Sequence, residues 1–343
     1  MKTILVLYSE VMGYNLPCFR ELVKNGFIVH CVYWDHKKNT PFLHDNEEGI
    51  FFYPRSYYDK ISLLNFSKEI SPALILVSGW MDKDYLHVCK FFKKNKIPVV
   101  SGLDNWWKGS LKQILVSFFS WYFIKPYFSW FFSPGKFQDE FINKLGYKNK
   151  KIKGLYTCDV SLFQNNGILN IQSKTIIFVG RYVKIKGIDI FIKSFDSVKE
   201  KLPNWKFHLY GNGELFEYLK TYECAQIKVN GFLNPEDLAK VFREATIFCL
   251  PSLHEPWGLV IHEATCSGLP LLTSNNIGSC TEFLEVGKNG FDFDIKNPKD
   301  IENKILSICN LESEKLIQFS EHSKLLSRKR SPQIWCENIL SVL

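Results

Sequence analysis

Twice along this chain, short unbroken apolar runs alternate with amphipathic stretches, and that repetition limits the fold more than any other feature. Thr3–Tyr8, Phe27–Tyr33, Ala73–Val77, Ile97–Ser101 and Tyr127–Ser133 are apolar almost throughout rather than at every second position. Strands covered on both sheet faces have this pattern. Asn15–Asn25 and Lys136–Leu145 carry helix punctuation, with Pro17 and Pro134 near their starts and Gly26 and Gly146 just past their ends. Such alternation implies parallel, doubly wound sheet.

The pattern restarts after the polar stretch Ser161–Ser173. Strands are expected at Thr175–Val179, Trp205–Tyr210, Gln226–Val229, Thr246–Leu250 and Pro270–Thr273, and helices at Ile188–Leu202, Glu214–Tyr222, Pro235–Arg243 and Leu259–Ser267. A length of 343 residues accommodates two domains of ordinary size. The expected fold class is therefore α/β, with two Rossmann-like domains at 1–160 and 161–328. A last helical segment, near Pro332–Leu340 within 329–343, can belong to either domain, including by packing back on the first.

Charge divides unevenly between these halves. Residues 1–155 carry 22 Lys/Arg against 13 Asp/Glu, whereas 156–343 carry 21 against 22, so the net +8 of the chain resides in the first half. A basic half suits an anionic neighbour such as lipid head groups, nucleic acid or a phosphorylated substrate, and it also suits a plain solvated lysine surface. The ten cysteines show no CxxC pair and no zinc spacing, which favours a reducing compartment and disfavours thiolate–metal chemistry. The start MKTILVLYSE reads as a strand rather than a secretion signal. Gln113–Phe132 is long and aromatic, but Lys125 and Pro126 interrupt it and leave too few residues to cross a bilayer. Helix, break, then buried strand is the expectation there, with a shallow interfacial contact open to a face flanked by Lys108, Lys112 and Lys125.

In open α/β sheets ligands bind beyond the carboxyl ends of the strands, so the loops at those ends are where chemistry is sought. The first loop, SEVMGYN, holds one glycine, Gly13, where a dinucleotide site would need three. The loop Gly180–Gly187 (GRYVKIKG) carries Arg181 and Lys186, which suit a diphosphate as bidentate fork and mobile charge, or are simply solvated. Gly211-Asn212-Gly213 permits close backbone approach and equally makes a turn. In PSLHEPWGLVIHEATCSG, Glu255 precedes a helix start at Gly258 and Leu259, and Glu263 lies about one turn inside. Free amides at a helix start favour phosphate, and carboxylates accept hydrogen bonds from ring hydroxyls. Two acids there are also a common capping arrangement. Taken with the cations, the three loops describe one nucleotide-sugar pocket.

These segments resemble the large retaining family four of the glycosyltransferases, the group one enzymes of GT-B architecture. The resemblance runs from FVGRYVKIKGIDIFIKSF through YGNGE, VNGFLNPEDL and FCLPSLHEPWGLVIHEATCSGLPLLTS to GSCTEFLEVGKNGFDF. It implies two sheets facing a central cleft. Arg181 and Lys186 match the family's diphosphate contacts, Glu255 the residue holding hydroxyls of the transferred sugar, and Glu263 the one holding the ribose. Gly258 and Leu259 match backbone donors to the sugar-phosphate, while Gly180, Gly211, Gly213 and Phe232 match the surround of the nucleotide. The first domain matches less well: Gly13 stands alone where many members have a glycine pair. Asp104 or Asn105 occupies the place where many carry a His, and Trp257 replaces a common Phe.

What the resemblance implies is transfer of a sugar from a nucleoside diphosphate sugar to a hydroxyl of a saccharide, with retention. The donor is a substrate, and neither a cofactor nor a metal is expected, because Arg181, Lys186 and the helix-start amides oppose the charge of the departing diphosphate. Asp82/Asp84 and Asp292/Asp294 form Asp-x-Asp triplets outside the donor loops and are expected to be solvated. Glu255 positions the sugar, the leaving phosphate takes the acceptor proton, and domain closure excludes water. The expected acceptor is a saccharide, lipid-linked, in cell-surface polysaccharide or glycolipid synthesis. A cytoplasmic protein peripheral to the inner membrane face follows, with an anionic membrane surface as a candidate partner and nucleic acid not one. A non-catalytic nucleotide-sugar binder and a nucleotide-sugar epimerase of like architecture are the alternatives.

Overall fold

The computed structural model describes residues 2–35 and 45–343. The chain divides into two compact units, Met1–Thr157 with Ser331–Leu343, and Cys158–Arg330. The last helix, Pro332–Leu340, thus belongs to the first unit.

The first unit is built on seven strands: β1 (Lys2–Tyr8), β2 (Phe27–Tyr33), β3 (Ile50–Pro54), β4 (Leu74–Val77), β5 (Val99–Gly102), β6 (Trp130–Ser133) and β7 (Lys151–Lys153). They lie in the order β3-β2-β1-β4-β5-β6-β7, all parallel, with Val6 opposite Cys31 on one side and Leu76 on the other. Alternate residues of β1 enter different cores, which is why its sequence is continuously apolar. Leu5 and Leu7 pack with Ile75 and Val77, whereas Ile4 and Val6 pack with Leu74 and Leu76. The second of these cores takes in Trp335, Cys336 and Ile339 of the last helix. Trp335 meets Phe132 with ring centroids 5.6 Å apart, and its indole N–H donates to the Leu155 carbonyl at 3.1 Å.

Six parallel strands form the second unit: β8 (Thr175–Val179), β9 (Lys206–Tyr210), β10 (Ile227–Asn230), β11 (Ile247–Leu250), β12 (Leu271–Ser274) and β13 (Gly290–Phe293). Their order is β10-β9-β8-β11-β12-β13, with Phe248 paired to both Ile177 and Leu271. In both sheets the strand order reverses beside the first strand, the topology that opens a crevice at the carboxyl edge. Strands β3, β7 and β13 do not stand among the runs read from sequence. All three are edge or near-edge strands, and β7 (KIK) and β13 (GFDF) carry little apolar surface.

Expected solvation of the first acidic triplet does not hold. Asp82 caps the helix Lys83–Lys94, accepts from the Trp34 indole at 3.0 Å, and is bridged by Arg55 at 3.1 Å, with only 12% of each charged side chain exposed. Arg55 also pairs with Asp84. Burial pushes the Asp82 carboxyl up, but hydrogen bonds from the Tyr85 amide, Trp34 and Arg55 outweigh it and hold the pKa below the usual range. Neither is the lysine surface all free: Lys151 and Lys153 both reach Asp139 at 3.6 Å.

Candidate functional site

At the carboxyl edge of the second sheet, backbone hydrogen bonds join the loops into one surface. Tyr182 N–H donates to Asn212 O at 2.8 Å, Leu253 N–H to Ile185 O at 2.9 Å, and Gly211 N–H to Gly231 O at 3.1 Å. The loops after β8, β9, β10 and β11 are therefore contiguous. Packing between them is at backbone distance. A methyl group on Gly211 would stand 1.9 Å from the Gly180 carbonyl oxygen, and one on Gly213 would stand 2.6 Å from that of Tyr182. Both glycines are thus fixed by close approach. Phe232, in the next loop, is 62% exposed.

The helix Leu259–Cys266 starts at Gly258, whose φ of 86° is left-handed. No side chain caps its first turn: Ile261 N–H donates to Gly258 O at 3.0 Å, whereas the Gly258 and Leu259 amides have no hydrogen-bond partner among the described residues. Over this start lies Glu255: a methyl on Gly258 would sit 2.9 Å from Glu255 Cγ. The Lys186 ammonium forms an ion pair with the Glu255 carboxylate, and their side chains are 17% and 13% exposed. Ser252 Oγ donates to the same oxygen at 3.4 Å. From the sequence, Lys186 and Arg181 suit an external diphosphate or plain solvation. Instead Lys186 already has an anion in Glu255, 69 residues away, and Arg181 is exposed with no side-chain partner among the described residues.

One turn into the helix, Glu263 is half-buried. Burial, followed by the neighbouring Cys266 thiol, pushes its pKa up to about 8. Its carboxyl has no hydrogen-bond or ion-pair partner among the described residues, so it is an unspent acceptor in a poorly hydrated place. A second loop, after β12, braces this one. Glu255 N–H donates to Asn276 O at 3.0 Å, Gly278 N–H to Glu255 O at 3.0 Å, and Ser279 Oγ to Gly258 O at 2.9 Å. Sequence reasoning gave Gly278 and Ser279 no role. The signal available was a small-residue pair, GS, in the loop that follows the apolar strand Leu271–Ser274.

Near the far end of the helix, Cys158, His262 and Cys266 have ligand atoms all within 4.8 Å of one another, which sequence spacing had disfavoured. Cys158 lies 104 residues from His262, too far apart to register as a motif. Both imidazole nitrogens are engaged, Nδ1 accepting from Cys158 N–H at 3.2 Å and Nε2 donating to Ser327 O at 3.0 Å. That use defines a hydrogen-bonded core histidine.

The carboxyl edge of the first sheet has a different lining. Tyr8, Ser9, Glu10, Met12, Tyr14, Asn15, Ser78, Gly102, Asp104, Leu155 and Tyr156 surround a cavity of about 250 Å³. Gly13 lies in its first loop, turned so that its carbonyl accepts from Leu16 N–H at 3.3 Å. Tyr156 Oη donates to Asp104 Oδ2 at 3.4 Å, and Tyr14 meets the Tyr156 ring edge-on at 5.8 Å. Loss of hydration raises the Asp104 carboxyl above its ordinary range despite hydrogen bonds that oppose the shift. Asp104 lines this cavity, whereas Asn105 is not among its lining residues.

Comparison with solved structures places both units in a known fold. Anabaena Alr3699/HepE in complex with UDP is similar over 100% of each chain, with a TM-score of 0.75 at 15% identity. In complex with UDP-glucose the same protein gives 0.71 at 16%. WaaG, a glycosyltransferase involved in lipopolysaccharide biosynthesis, is similar over 99% of each chain, with a TM-score of 0.68 at 13% identity. The two parallel-sheet units are those of the GT-B fold. An uncharacterized glycosyltransferase of Haemophilus influenzae is 29% identical over 170 residues, covering 49% of this chain and 48% of that protein. The chain spans about half the length, or less, of the curated relatives it matches. Residues 163–325 match the family described as Glycosyl transferases group 1.

Proposed function

We propose that the protein is a metal-independent glycosyltransferase that moves a sugar, with retention, from a nucleoside diphosphate sugar to a hydroxyl of a lipid-linked saccharide. The observation that carries this reading is the Lys186–Glu255 pair held over the bare amides of Gly258 and Leu259. On donor arrival, Lys186 turns from Glu255 toward the diphosphate and frees the carboxylate to accept hydrogen bonds from hydroxyls of the sugar. Arg181 adds a bidentate contact, and the helix start opposes the charge gathering on the leaving oxygen. Glu263, raised to about 8 in the free protein, accepts from the ribose hydroxyls, and Phe232 with Gly211 and Gly213 borders the base.

The first unit's cavity, lined by hydroxyls and two acids, suits a polyhydroxyl acceptor, with Asp104 nearest the role of orienting the attacking hydroxyl. The HepE complexes with UDP and UDP-glucose support a uridine donor class, and the likeness to WaaG, a glycosyltransferase involved in lipopolysaccharide biosynthesis, supports a glycolipid or cell-surface polysaccharide pathway.

The test is a thermal-shift panel of nucleotides and sugar nucleotides, followed by product analysis with the best ligand. A shift with a sugar nucleotide, chelator-insensitive release of the nucleoside diphosphate and a retained anomeric configuration are expected. Binding without turnover on any acceptor would make the protein a sensor, and isomerised donor without acceptor would make it an epimerase.

A further inference from the structure

Residues 105–138 contain four lysines and no Asp or Glu. Within them the helix Leu111–Phe118 has no buried residue. Its positions Leu111, Ile114, Leu115 and Phe118 recur at the spacing of one helical face, and they are 79%, 46%, 57% and 75% exposed. A surface helix ordinarily turns such a face inward; this one presents it to water. The following turn, Ser120–Phe123, adds Trp121, Tyr122 and Phe123 at 64%, 62% and 49% exposure. A contiguous apolar patch of this kind marks an interaction surface.

The protrusion is built rather than frayed. Ser110 caps the helix, the Gln113 amide donates to Trp106 O at 2.7 Å while its oxygen accepts from Lys108 N–H at 2.8 Å, and Val116 and Ile124 pack into the first unit's core. Cations gather beside it. Lys93 Nζ donates to the carbonyls of Lys125 and, at 2.6 Å, Phe128. Burial lowers the Lys93 pKa, and repulsion from Lys150 and Lys125 lowers it further, so three ammonium groups share one neighbourhood.

We propose that Leu111–Phe123 docks on an anionic bilayer, its aliphatic and aromatic side chains entering the boundary between head groups and acyl chains while Lys108, Lys112 and Lys125 meet lipid phosphates. One sign of charge around an apolar face fits a polyanionic sheet, and amphipathic Trp and Tyr rings suit that boundary. No described helix is long and apolar enough to cross a membrane, so the segment lies in the interface plane. Docking gives the lipid-linked acceptor of the reading above its surface, and to that extent rests on it.

Flotation of the full chain with phosphatidylethanolamine–phosphatidylglycerol vesicles, against phosphatidylcholine vesicles, tests this. Expected are binding to the anionic vesicles, a blue shift of tryptophan emission, and at least roughly tenfold weaker binding for Phe118→Ser with Trp121→Ser. Lys112→Glu with Lys125→Glu is expected to weaken binding chiefly at low salt. A UDP thermal shift equal to wild type shows that the variants are folded, and it reads the donor site separately: loss of UDP binding with vesicle binding intact would refute the donor reading alone. No flotation, flotation indifferent to the aromatic pair, or a self-association in light scattering that the same pair abolishes would overturn the proposal.

Discussion

The two sheets share parallel strands and a reversal of strand order, yet their carboxyl edges carry opposite chemistry. In the second unit the edge gathers Arg181, Lys186, bare helix amides and two acids, stitched by backbone contacts too close for any Cβ. In the first it gathers tyrosine and serine hydroxyls with Glu10 and Asp104, and among the described residues no lysine or arginine lines the cavity. The same topology thus supplies the place, and the loops supply the chemistry. One edge suits an anionic, activated substrate, the other a neutral polyol.

Separate substitutions at each edge can break that division. Lys186→Ala should cost the most, about 10²–10³ in kcat, because it removes charge opposing the leaving diphosphate and leaves Glu255 half-buried without its cation. Steady-state kinetics on the best donor would show it; a change confined to KM would assign Lys186 to ground-state binding. Next, Arg181→Ala should weaken donor affinity by roughly tenfold or more, the loss of a charge-assisted contact of about 1.5–3 kcal/mol, and leave the melting temperature unchanged because the side chain is exposed. Calorimetric titration of the nucleotide reads both. Asp104→Asn should raise the acceptor KM several-fold and spare donor affinity. An equal effect on both substrates would dissolve the contrast between the edges.

Glu263 gives the subtlest test, through pH. Its carboxyl binds a proton more tightly in the folded chain, at about 8, than at its ordinary 4.5. The stability from that proton is complete below about 4.5 and is lost as pH rises through about 8. Glu263→Gln should therefore be more stable than the parent at pH 8 to 9, by roughly 1–2 kcal/mol, in denaturant melts. The ionised form accepts ribose hydroxyls, so parental donor affinity should climb as pH approaches 8. The variant should bind about tenfold more weakly with no such climb.

Much of this arrangement was legible in the chain itself. Central strands such as Phe27–Tyr33 and Thr175–Val179 coincide with their apolar runs because both faces are buried. Lys151–Lys153 did not stand out, since an edge strand needs only one covered face and its single isoleucine gives no period. Helix starts at Asn15, Pro235 and Leu259 were marked by proline, glycine or a change in polarity. Pairings across the sequence were not. Arg55 is 27 residues from Asp82 and Lys186 is 69 from Glu255, and neither partner choice leaves a local trace. Spacing named the groups at the donor edge, while only the fold shows that one of its cations is already held by one of its acids.

The last helix carries a consequence for how this molecule comes into being. Trp335, Cys336 and Ile339 fill a core whose other members begin at Ile4, and the whole second unit intervenes between them. During synthesis the later-made unit can reach its final form first, because its segment is continuous. The earlier-made one must wait, incomplete beside Phe132 and Leu155, until Trp335 and Ile339 have followed the whole second unit out of the ribosome.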